Sequence, residues 1–143
     1  MTDTALGPGA EPLHGTTRLS GISQFECHAV RHESVAVVGY ETEVSTGIGS
    51  NEQGLVFTFA CGVKIMGTDS PDPRVAAEIG VSFLVTYEAQ APFASDDQAA
   101  QEFALQVAFP EVFPFIRQRI HDLASNIGFT GFLIAQPDLH GAV

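Results

Sequence analysis

The sequence predicts an α+β fold, a four-stranded antiparallel sheet with a kinked long helix on one face, from two patterns that meet near residue 90. Between residues 19 and 88, apolar and polar side chains alternate in four stretches divided by turn-forming tracts, the period of half-buried strands. Beyond them the period changes: Val112, Ile116, Ile120, Leu123 and Ile127 recur every three or four residues and draw an apolar stripe along a helix. Consecutive strands followed by helix imply an antiparallel meander with the helices to one side.

Residues 1–18 hold Gly7, Pro8, Gly9, Pro12 and Gly15 without apolar periodicity, the composition of a flexible leader, and one domain is expected over 19–139. The first strand is predicted from Leu19 to Val30. Its Phe25, Cys27 and Ala29 alternate with Gln24, Glu26 and His28, while Ile22 falls on the other parity and calls for a bulge. The second covers Val35 to Ile48, with Val38, Tyr40, Thr42, Val44 and Ile48 on one side and a Glu41 and Glu43 face turned to water. After the turn residues Ser50 to Gly54, Leu55, Phe57, Phe59, Cys61, Val63 and Ile65 alternate strictly, as a core strand does. A polar tract from Gly67 to Pro73 leads to the fourth strand, whose apolar face runs from Val75 through Ile79 and Phe83 to Tyr87.

Ser95-Asp96-Asp97-Gln98 has the spacing of a capping box and predicts a short helix from Asp96 to about Val107, with Phe103 and Val107 inward. Pro110 suits the first turn of the long helix and Gly128 the residue just past its end. Because Pro110 and Pro114 both lack an N–H, a break or kink near Phe109 is expected rather than continuous helix over 96–127.

With 6 Lys and Arg against 17 Asp and Glu, a net charge of −11 disfavours nucleic acid and anionic membranes and favours a basic or apolar partner. No apolar run is long enough for a membrane helix, Met1-Thr2-Asp3-Thr4 does not read as a signal peptide, and two cysteines make no disulfide framework, so a reduced, cytoplasmic protein is expected. Catalytic patterns are thin. Cys27 and His28 point to opposite faces of a strand, Cys61 lies on an apolar face, and Glu41 with Glu43 reads as a solvated pair. No metal site, cofactor or enzymatic activity is expected.

Six of the 11 phenylalanines, Phe103, Phe109, Phe113, Phe115, Phe129 and Phe132, lie in the last 41 residues, more than one helical stripe can face inward. They fill either a subunit interface or an apolar groove for extended peptide. The same region contains Phe113-Pro114-Phe115, Arg117 and Ile120, then Gly128-Phe129, Leu133, Pro137 and Leu139. This stretch resembles the SecB family of export chaperones, which bind unfolded preproteins and pass them to the SecA motor. Departures are Gln118 for the family's usual Glu, Phe115 for Tyr and Leu139 for the last aromatic. The resemblance is carried by residues 105–139, and strand order extends it to about 19–139.

The resemblance implies a cytoplasmic holdase without cofactor, a homo-oligomer built as a dimer or as a dimer of dimers, the family's homotetramer. Its clients are unfolded polypeptides or preproteins, bound along a groove formed by Phe113, Phe115, Phe129, Phe132 and Leu133. Glu78 matches by strand register an acidic residue that contacts SecA, although an ordinary solvated carboxylate reads the same way. The family's lid-like second helix has no counterpart after Leu139. Protein export, a dedicated chaperone of an antitoxin in a toxin-antitoxin system, and a structural or regulatory oligomeric module without clients all remain open from the sequence.

Overall fold

The computed structural model describes residues 17–33, 36–51, 54–68, 74–89 and 98–139. Of the leader expected over 1–18, residues 1–16 lie outside these while Thr17 and Arg18 begin a strand; residues 69–73 of the expected turn and the expected capping residues Ser95 to Asp97 also lie outside. Four long strands are present, β1 (Thr17–Arg31), β2 (Ala36–Asn51), β3 (Gly54–Thr68) and β4 (Arg74–Ala89). They form one antiparallel sheet in the order β1-β4-β3-β2. Only β2-β3-β4 is therefore a meander. β1 lies on the far edge beside β4, because the chain after Arg31 turns across the sheet end, where the His32 and Glu33 amides both donate to the Ala76 carbonyl, at 2.7 and 3.1 Å.

Strand alternation sorts the side chains into two layers. The cross-strand pairs Leu55–Tyr87, Phe57–Val85, Phe59–Phe83, Cys61–Val81, Val63–Ile79 and Ile65–Ala77 stack on the inner face, and every one of these residues is buried. The edge strands continue this layer less completely: Ile22 and Cys27 pair with Val85 and Val81, Ile48 and Val44 with Phe57 and Cys61, and all four are only half-buried. Burial pushes the Cys61 thiol up to about 11, so it packs as an inert apolar group. The outer face is small and flat at its centre, where Gly62 faces Gly80 and Ala60 faces Ser82.

β1 shifts register twice, between Leu19 and Gly21 and between Gln24 and Glu26. The bulge expected from Ile22 is present, and the second one corrects the predicted face of Phe25. Gln24, not Phe25, takes the inward position opposite Phe83, and Phe25 is 59% exposed.

Over the inner face runs a helical segment of three parts: α1 (Gln98–Phe103), a π turn (Ala104–Ala108) and α2 (Phe109–Asn126). The break or kink expected near Phe109 takes the form of a widened turn, without interruption of the helix. The Phe109 amide donates to the Ala104 carbonyl, five residues back rather than four, and Pro110 has no N–H to offer Leu105. The extra residue in this turn advances the buried stripe by one position. Val107, expected inward, is half-buried, while Ala108 and Phe109 enter the core.

α2 then buries Val112, Phe113, Ile116, Ile120, Leu123 and Ala124, and Pro114 sits inside it on the exposed side. Rings knit helix to sheet: Phe103 lies 4.9 Å from Tyr87 and 5.8 Å from Phe57, and Phe109 lies 5.4 Å from Phe59. The Tyr87 hydroxyl donates to Glu111 Oε1 at 2.7 Å, and burial followed by this carboxylate raises its pKa. Toward the β1 side, Arg119 Nε donates to Gln24 Oε1 at 2.9 Å.

As expected, Gly128 lies just past the helix in a left-handed conformation, φ 99°, and the Phe129 amide returns to the Ala124 carbonyl at 2.8 Å. Beyond it, residues 129–139 run without regular secondary structure.

Candidate functional site

α2 packs mainly on β4 and β1 and leaves the inner face of β2 to the segment 129–139. That segment is a strap held by side chains. Its first residue is fixed by Arg31, which donates from Nη1 to the Ile127 carbonyl at 2.9 Å and sets its guanidinium carbon 5.0 Å from the Phe129 ring centroid. A carbonyl at a helix C-terminus and an aromatic face both attract a cation, so one side chain satisfies the two. A Cβ on Gly128 would overlap Arg31 Nη1.

Along the strap, Phe132 stands edge-on to Tyr40 of β2 with centroids 5.4 Å apart, and the Ala135 amide donates to the Tyr40 hydroxyl at 2.9 Å. Ile134 and Leu139 turn inward and are buried, whereas Leu133 is 60% exposed. Between the strap end and the π turn lies a cleft of about 280 Å³ bounded by Leu105, Phe109, Gln136, Pro137, Asp138 and Leu139. Exposed and half-exposed apolar groups thus line the β2 side of the molecule, next to an open cleft whose far wall is Leu105 and Phe109.

The five aromatic and aliphatic residues predicted for a groove separate into three environments. Phe132 and Leu133 stand together with Tyr40 on the strap side. Phe113 is buried against Phe109, 5.6 Å between centroids, and Phe129 is buried beneath Arg31, so both form the floor rather than the surface. Phe115 is 52% exposed one turn before Arg119, the helix residue that reaches β1, so it is not joined to the strap. Sequence reasoning gave Tyr40 only a strand face and missed its pairing with the strap. It also missed Ile134.

Glu78 lies on the outer face, where its Oε2 is 2.8 Å from His32 Nε2 and both side chains are partly exposed. Beside it a pocket of about 160 Å³ is lined by His28, Glu41, Glu43, Lys64 and Glu78 around Gly62. The His28 ring covers the Cα of Gly80, where no other side chain fits. Among the described residues, no three His, Cys, Asp or Glu side chains gather as a metal site would require, and no helix is long and apolar enough to cross a membrane.

A four-stranded antiparallel sheet carrying one long helix on its inner face in this order is a SecB-like fold. It is shared with Mycobacterium tuberculosis Rv1957, solved as a SecB-like chaperone in complex with a ChAD peptide from the Rv1956 HigA1 antitoxin. The two superpose with a TM-score of 0.78 at 14% sequence identity, over 94% of this chain and 97% of that one. No family model and no curated relative matches the sequence.

Proposed function

We propose that this chain is a SecB-like holdase of the cytoplasm, which binds non-native polypeptide along the β2 side of its inner face and slows its folding without nucleotide or metal. The observation that carries this reading is the strap: Phe132, Leu133 and Tyr40 offer apolar surface at the mouth of an open cleft, on a fold that in Rv1957 accompanies peptide binding. Phe132 and Leu133 contact the client, Phe113 and Phe129 support them from below, and Phe115 serves a second contact around the helix. The peptide bound by Rv1957 favours a dedicated antitoxin client over general export.

The subunit assembles through β1, whose edge carries the exposed Leu19, Phe25 and Val30, into a dimer or a dimer of dimers. Handover to SecA is the further step for which Glu78 is a candidate contact. Its partner His32 would have to yield first.

The test is light scattering from a denatured, aggregation-prone protein diluted into buffer with and without this chain, with masses from size exclusion and multi-angle detection. Suppressed scattering with a stoichiometric complex supports the holdase, and Phe132→Ala with Leu133→Ser should lose it while the oligomer keeps its mass. No suppression by the assembled wild type would leave a chaperone dedicated to one client or the structural, client-free module. Glu78→Lys should weaken capture of SecA by the loaded complex; unchanged capture removes that contact.

A further inference from the structure

Resting on the holdase reading, we propose that the strap end, Ala135 to Leu139, is an internal occupant of the client cleft: Leu139 sits where an apolar client side chain seats, and leaves when an extended, uncharged client segment enters. Three observations converge on this. The strap end is attached as a bound peptide would be. Leu139 is buried at 9% exposure and Pro137 half-buried, while Asp138 between them and Gln136 before them are exposed, so alternate side chains anchor this end of the chain.

Its backbone is held lightly. Among the described residues no backbone-to-backbone hydrogen bond joins residues 130–137 to the rest of the protein, and the Ala135 amide relies on the single Tyr40 hydroxyl. Strand and helix segments, by contrast, are held by continuous ladders. A segment fixed by a few side chains is drawn from the low-stability end of a fold and exchanges locally.

The cleft also offers more than the strap uses. About 280 Å³ remain open beside Leu105, Phe109 and Leu139. An incoming chain can therefore place an apolar side chain against Leu105 and Phe109.

The probe is reduced, carboxamidomethylated lysozyme carrying a dye, titrated with the full-length protein and followed by anisotropy. Peptide-amide exchange over 130–139 is measured by mass spectrometry in the same samples. A strap that competes with the client lowers the apparent affinity by the fraction of time it is seated, so Leu139→Gln should tighten binding by about threefold to tenfold. In the wild type, probe binding should raise amide exchange at 135–139.

Tyr40→Phe, which keeps the ring and removes only the hydroxyl, should tighten binding in the same direction to a smaller degree, and stands in if Leu139→Gln fails to fold. Weaker or unchanged binding by these variants, or greater protection of 135–139 in the complex, would overturn the proposal and make the strap a fixed wall, with the holdase reading intact. Failure of the wild type and both variants to bind the probe would remove the holdase reading, and this proposal with it.

Discussion

Two segments share the inner face of the sheet, and they are held by different means. α2 lies over β4 and β1 with a periodic stripe from Val112 to Ala124, main-chain hydrogen bonds along its length and the Phe109 ring set against Phe59 of the sheet core. The strap lies over β2 with two buried aliphatic anchors, one edge-on ring pair and one amide bonded to a phenol. The first arrangement resists exchange because each contact is backed by others; the second presents apolar groups that water still reaches. Stability of the subunit therefore belongs mainly to the helix-covered half, and the proposed recognition mainly to the strap-covered half.

The sharpest way to break that division is to empty a ring position under α2. Phe59→Ala or Phe109→Ala should cost about 3–5 kcal/mol, read from urea unfolding, because a fully buried ring leaves a cavity the stiff sheet cannot close. A loss below ~1 kcal/mol would mean that the helix is as loosely seated as the strap.

Alkali probes the same half. The thiol of Cys61 is raised from 9.0 to about 11, so the folded state holds a proton that the unfolded chain releases. Stability should be intact below pH 9 and fall progressively as pH rises to about 11, by roughly 2–3 kcal/mol. Tyr87, raised by burial and by Glu111, acts with the same sign at higher pH. Cys61→Ala should flatten the pH dependence of the unfolding midpoint between 9 and 11. An unchanged slope would show that the thiol meets water.

Next in size is the joint between the halves. Gly128→Ala should cost about 1–3 kcal/mol, since φ 99° strains a residue with a Cβ and displaces Arg31. Amide exchange should rise over 129–139 before it rises in α2. Simultaneous loss in both would show a single cooperative unit. The smallest effect on folding is expected at the surface: Leu133→Ser or Phe115→Ser should leave stability within ~0.5 kcal/mol while client capture falls. Capture that persists in both variants would move recognition to the deeper cleft alone.

Much of the helix-covered half was legible in the sequence. Four alternating stretches became four strands, and the inner faces of β3 and of β4 from Ala77 to Tyr87 contain the residues that alternation named, because a period of two is a property of the strand itself. Strand order was not legible. The turn of His32 and Glu33 onto Ala76 is a contact between distant residues, and no local pattern records it. Phe25 misled for a related reason: one parity error at Ile22 announces a bulge, but two register shifts decide which residue is turned out.

The candidate site was half legible. A surplus of phenylalanines pointed to the last 41 residues, yet Tyr40 and Ala135 are 95 positions apart, and only the fold shows that the phenol holds the strap. Phe113 and Phe115 look alike in sequence, and a helix turns one into the core and the other out of it.

The π turn carries one more consequence, for changes of length rather than of residue type. Each residue advances an α-helix by about 100°, and the widened turn over Ala104–Ala108 absorbs one residue more than an α-helix needs. Deleting Gln106 would leave Phe103 in line with the α2 stripe but bring the Pro110 ring against the Leu105 carbonyl, which regular winding then places four residues back. Side chains in this turn are open to replacement, as Leu105 and Val107 are only half-buried. Its residue count is not, and relatives of this chain should differ here in composition while preserving length.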